Sequence, residues 1–80
     1  MTPEDLRTAL RTQPFVPFRL HLSDGRSFDV PHPEFLLVAE SMAVVGVYQA
    51  SKNNGQLAPQ RTEMLSLLHI VSLEPLTQTA

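Results

Sequence analysis

The sequence predicts an α+β domain: one N-terminal helix followed by a strongly bent antiparallel sheet of four or five strands, a small open barrel of the SH3 or Sm-like kind. Three observations predict it. The chain opens on a proline-primed capping sequence, residues 18–30 alternate cleanly around an Asp-Gly pair, and further β-rich segments lead to a long apolar strand near the end. Eighty residues make one domain with a thin core, and the absence of cysteine removes disulfides and thiolate metal sites as reinforcement. Self-association is the leading device left.

Thr2-Pro3-Glu4-Asp5 opens the helix. Thr2 is a capping residue, Pro3 suits the first helical position, and the two acids complement the positive end of the helix dipole. The helix is predicted over about 3–12, with Leu6 and Leu10 on one narrow apolar face beside Ala9. So short a helix must lie on something, because isolated short helices are marginal in water. Pro14 and Pro17 end it and hold the connection extended, which makes Phe15 and Phe18 packing anchors.

Strands are predicted at about 18–23 and 26–30, joined by a type I′ turn at Asp24-Gly25. Phe18, Leu20 and Leu22 share a face with Phe28 and Val30, while Arg19, His21, Ser27 and Asp29 point the other way. Pro31-His32-Pro33-Glu34 breaks the strand, and further strands follow at 35–39 and 42–48, the latter with Gly46 marking a bend, a bulge or a close backbone approach. Residues 49–62 are polar and read as a mobile loop. The last strand, 63–73, carries Leu65, Leu67, Val71 and Leu73 in one parity and Met64, Leu68 and Ile70 in the other. Such a strand is covered on both sides or bends so that each half faces the core in turn. Residues 75–80 read as a frayed tail.

Composition narrows the function. With 42% hydrophobic and 18% charged residues the chain is a folding one rather than a disordered one. Its start lacks the layout of a secretory signal and no apolar run reaches the roughly 20 residues of a membrane span, so the cytoplasm is the expected location and a membrane is not an expected partner. A net charge of −2 gives no general pull toward nucleic acid, since Glu4, Asp5, Asp24 and Asp29 interleave with Arg7, Arg11, Arg19 and Arg26.

Of residues able to carry chemistry, His21, His32, Glu34 and His69 are the only set with metal-ligand or acid/base character, and their spacing matches no metal motif. No nucleophile elbow and no phosphate-cradling loop is present. No catalytic residue, metal or cofactor is therefore assigned, and the chain is not read as an enzyme. Arg19, Arg26, His32 and Glu34 remain as binding candidates, and Leu65, Leu67, Leu68 and Ile70 as a self-association surface or docking edge.

The run Pro14-Phe15-x-Pro17-Phe18-Arg19-Leu20-His21-Leu22-Ser23-Asp24-Gly25-Arg26-Ser27-Phe28-Asp29-Val30-Pro31-His32-Pro33-Glu34-Phe35, with the terminal Leu-Leu-x-Ile-x-x-Leu-Glu, resembles a family of small, functionally unassigned bacterial proteins abundant in planctomycetes. The resemblance covers most of the chain apart from 49–62 and implies an accessory or interaction role. A looser resemblance to Sm-like RNA-binding proteins rests on the helix, the bent sheet and Leu67-Leu68-His69-Ile70-Val71-Ser72-Leu73. The Asp-x-x-Asn and Arg-Gly nucleotide contacts of those proteins are missing, so it implies fold more than activity. The expectation is a protein-interaction or homo-oligomeric accessory module binding itself or another protein. RNA binding is the alternative, with Tyr48 the one exposed-aromatic candidate, and a metal- or ligand-binding domain comes third.

Overall fold

The computed structural model describes residues 1–50 and 57–76, with side chains for all of these but 49, 50 and 57–59. The class is α+β. Helix α1 spans Pro3–Arg11, closed at its start by a reciprocal capping box in which Thr2 Oγ1 accepts from the Asp5 N–H and Asp5 Oδ2 accepts from the Thr2 N–H, both at 3.2 Å. These hydrogen bonds hold the Asp5 carboxyl below its ordinary range. Leu6 is fully buried, and Ala9 and Leu10 pack beside it.

Among the described residues six strands follow: β1 Phe18–Leu22, β2 Ser27–Val30, β3 Leu36–Val38, β4 Met42–Ala50, β5 Leu57–Ser66 and β6 Ile70–Pro75. They form two three-stranded antiparallel sheets, ordered β2-β1-β6 and β3-β4-β5, rather than one sheet of four or five strands. The chain passes between the sheets twice, each time through a single 3-10 turn, Pro33–Phe35 and Leu67–His69. Pro33 starts the first at a position that needs no N–H, and Leu36 N–H closes it onto the Pro33 carbonyl.

The Leu67–His69 turn corrects the expectation of one strand over 63–73. Leu65 and Leu67 face the core from the second sheet, and the chain then turns so that Ile70 faces it from the first. A bulge opposite His21 and Leu22 sets Val71 outside the register and into solvent, after which Leu73 packs inward again. Apolar residues in both parities thus reflect a bend and a bulge. The expected 49–62 loop is corrected likewise: residues 49 and 50 belong to β4, 57–62 belong to β5, and 51–56 lie outside the described residues. Gly46 itself pairs in register with Thr62, and the bulge in β4 lies between Val47 and Tyr48.

The hairpin turn also differs from the expected type I′. Leu22 C=O accepts from Gly25 N–H at 3.0 Å and Leu22 N–H donates to Arg26 C=O at 2.9 Å, a three-residue connection with Gly25 alone at a positive φ of 93°. Of the expected tail, Pro75 pairs with Phe18 and Leu76 N–H donates to Pro17 C=O; 77–80 lie outside the described residues. One contiguous core joins Leu6, Phe18, Leu20, Leu22, Val30, Phe35, Leu36, Ala43, Val45, Leu65, Leu67 and Ile70.

Candidate functional site

The four binding candidates do not converge. Arg19 lies on the outer face of the first sheet in a two-pronged ion pair with Asp29 across the β1/β2 ladder, at 2.6 and 3.2 Å. That bond and the Asp29 charge raise the guanidinium further above its already high ordinary value. Arg26 is held by Asp24 at 2.8 Å, reaches Glu63 at 4.0 Å and covers the Phe28 ring. Hydrogen bonds from Arg26, its backbone N–H foremost, keep the Asp24 carboxyl below its usual range. His32 and Glu34 sit exposed at the first 3-10 turn, His32 against the Phe35 ring, and neither shares a cavity with the arginines.

Arg19 lines a cleft of about 320 Å³ between β2 and β4 with Ser27, Phe28, Asp29 and Tyr48. Tyr48 packs edge-on against Phe35 at 5.4 Å. Burial pushes its phenol above the ordinary value, and the Asp29 charge adds to this. With Arg19 neutralised by Asp29, the cleft offers a polar wall and no uncompensated charge. A second, open cavity of about 420 Å³ lies between the β1/β2 turn and β5. There Ser23 Oγ meets His69 Nδ1 at 3.2 Å, a contact between segments 46 residues apart that the sequence does not announce. Both groups are exposed, and among the described residues no carboxylate hydrogen-bonds His69. His21 bonds Glu74 at 2.8 Å across β1 and β6. Among the described residues no three His, Cys, Asp or Glu side chains gather as a metal site.

The interface candidates are corrected in part. Leu65, Leu67 and Ile70 are core residues of the chain itself, each under 5% exposed, and only Leu68, 89% exposed, stands free. An apolar surface does exist, one sheet away. On the outer face of β3-β4-β5, Leu37 stands opposite Val44 and Val44 opposite Met64, a row across all three strands, with Met42 beside it on β4. Leu37 is 70% exposed and Met64 65%. The inner face of the same strands supplies Leu36, Ala43, Val45 and Leu65 to the core. The available signal was apolar residues in both parities of 42–48, as in 63–73, there without a bend to use both.

Every arginine among the described residues has a carboxylate within 4.0 Å: Arg7 and Arg11 share Glu4, Arg19 has Asp29, Arg26 has Asp24, and Arg61 has Glu63. No described helix is long and apolar enough to cross a membrane. Comparison with protein-family models, curated proteins and solved structures finds no match to this chain.

Proposed function

We propose that this chain is a non-enzymatic interaction module, a small open-barrel scaffold of SH3 or Sm-like kind that associates with itself or docks on another protein through an apolar sheet face. The observation that carries this reading is the outward row Leu37, Val44 and Met64, flanked by Met42. A domain of this size with a thin core has little to spare for apolar groups facing water, and Leu37 and Met64, exposed on either side of a half-buried Val44, favour an interaction surface. The likeness of residues 14–35 to small planctomycete proteins goes with an accessory role of this kind. The strand order, with two turns carrying the chain from sheet to sheet, suits a barrel left open along β5 and β6.

RNA binding is the weaker reading. Phosphate recognition rewards clustered cations free to shed counterions, and the described arginines are each engaged by a carboxylate. Tyr48 is half-buried against Phe35 rather than offered as a stacking platform.

Sedimentation velocity over a concentration series tests the proposal. The wild-type chain self-associates, and Leu37→Glu weakens association while leaving the circular dichroism spectrum unchanged. A chain that sediments as a monomer into the millimolar range sinks the self-association reading.

A further inference from the structure

The backbone of β5 carries the proposal one step further, resting on the self-association reading. β5 pairs with β4 along one edge, and no described strand pairs with the other. Which groups face that open edge follows from hydrogen-bond phase. The β3/β4 turn is closed by Ala39 N–H donating to Met42 C=O at 2.8 Å, so Met42, Val44 and Gly46 direct their backbone groups toward β3. Ala43, Val45 and Val47 then direct theirs toward β5, where they stand opposite Leu65, Glu63 and Arg61. Leu67 N–H donating to Ser41 C=O at 3.0 Å continues the same phase and confirms it independently. Arg61, Glu63 and Leu65 are therefore bonded to β4, and Thr62 and Met64 turn their N–H and C=O groups to the open edge.

We infer that this edge pairs with the same edge of a second copy, antiparallel and centred on Thr62. Two-fold symmetry makes such a contact self-complementary, and charge selects the register. Centred on Thr62, Arg61 of each copy stands opposite Glu63 of the other. Centred on Glu63, two carboxylates would oppose each other instead. In the selected register Thr62 forms the hydrogen-bonded pair at the axis. The Arg61/Glu63 pairs fall at non-hydrogen-bonded positions, where opposing Cα atoms approach to about 4.5 Å and side chains lie closest. Arg61 and Glu63 already pair along their own strand, and Arg26 approaches Glu63, so the seam gathers two copies of a neutral Arg61/Glu63 couple rather than a net charge. The pairing makes one six-stranded sheet and brings the two outward apolar rows onto a single continuous face.

The test is the dimer dissociation constant by analytical ultracentrifugation, with folding checked by circular dichroism. Arg61→Glu and Glu63→Arg each weaken the dimer about tenfold or more, because the two-fold axis counts every altered pair twice. The combined exchange, Arg61→Glu with Glu63→Arg, restores it to within about threefold, since opposite charges again face each other. Thr62→Pro removes a donor that the monomer does not use, so it abolishes the dimer while leaving the β4/β5 ladder paired. A dimer indifferent to Thr62→Pro and to the single reversals overturns the edge contact while leaving association through the outer face standing. A monomeric wild-type chain overturns both.

Discussion

Leu67 and Leu68 are adjacent, chemically identical and both in the second 3-10 turn, yet truncating each has a very different effect. Leu67 is 4% exposed and its N–H is tied to the Ser41 carbonyl, so its side chain plugs the core where the chain leaves the second sheet for the first. Leu67→Ala loses the transfer free energy of a buried leucine and leaves a cavity, a cost of about 3 kcal/mol. At roughly 0.05–0.15 kcal/mol per residue, a domain of 80 residues holds only about 4–12 kcal/mol in total. The loss therefore takes a quarter or more of its stability and lowers the melting temperature by about 12–24 °C. Leu68, 89% exposed, changes stability by no more than about 0.5 kcal/mol when cut to alanine. Urea unfolding followed by circular dichroism at low protein concentration measures both, with a shifted midpoint and unchanged slope as the expected form. Equal losses for the two variants, or less than about 1 kcal/mol for Leu67→Ala, would refute the burial argument.

Gly25→Ala tests the turn: at φ 93° an added Cβ meets open space, so the penalty of about 1 kcal/mol is one of backbone conformation alone, and Gly25→Asn should lose less. A Gly25→Ala chain as stable as wild type would show that the turn is not left-handed there. Tyr48 is the single tyrosine, so ultraviolet titration reads its phenol directly. It should ionise above its ordinary 10.0, and Asp29→Asn should lower its pKa toward that value by removing a repelling charge. Because the folded pKa is the raised one, the stability tied to the neutral phenol is complete below 10.0 and is lost as pH rises through the folded value. No downward movement in Asp29→Asn would contradict the placement of Asp29 beside this group.

The elements with a local cause were legible in the sequence. Thr2 through Asp5 encode the helix start, the alternation around Asp24-Gly25 encodes the hairpin, and Pro31 and Pro33 encode the break after β2. What was not legible depends on partners remote along the chain. β5 extends into a polar stretch because β4 is there to pair with it, and nothing local marks 57–62 as strand. Leu67 and Leu68 exchange core and solvent according to a turn that begins at Leu67, a matter of one residue. The candidate site fared worse for the same reason. The interleaving of Asp24 and Asp29 with Arg19 and Arg26 was legible, but which acid holds which arginine, with Glu63 reaching Arg26 from β5, and the Leu37/Val44/Met64 row exist only once register is known.

The order of the first sheet, β2-β1-β6, has a consequence for how the protein is made. β1 is its middle strand, and one of its two partners comes from residues 70–75. During synthesis the hairpin and the second sheet can gather as they emerge, but Ile70, almost wholly buried, arrives only after them. Until it does, one edge of β1 stays bare and the core unsealed. Closure then waits on a pairing that spans more than fifty residues, the kind of distant contact that slows folding to milliseconds or longer. For that interval the one strand edge left waiting is the side of β1 that β6 will cover.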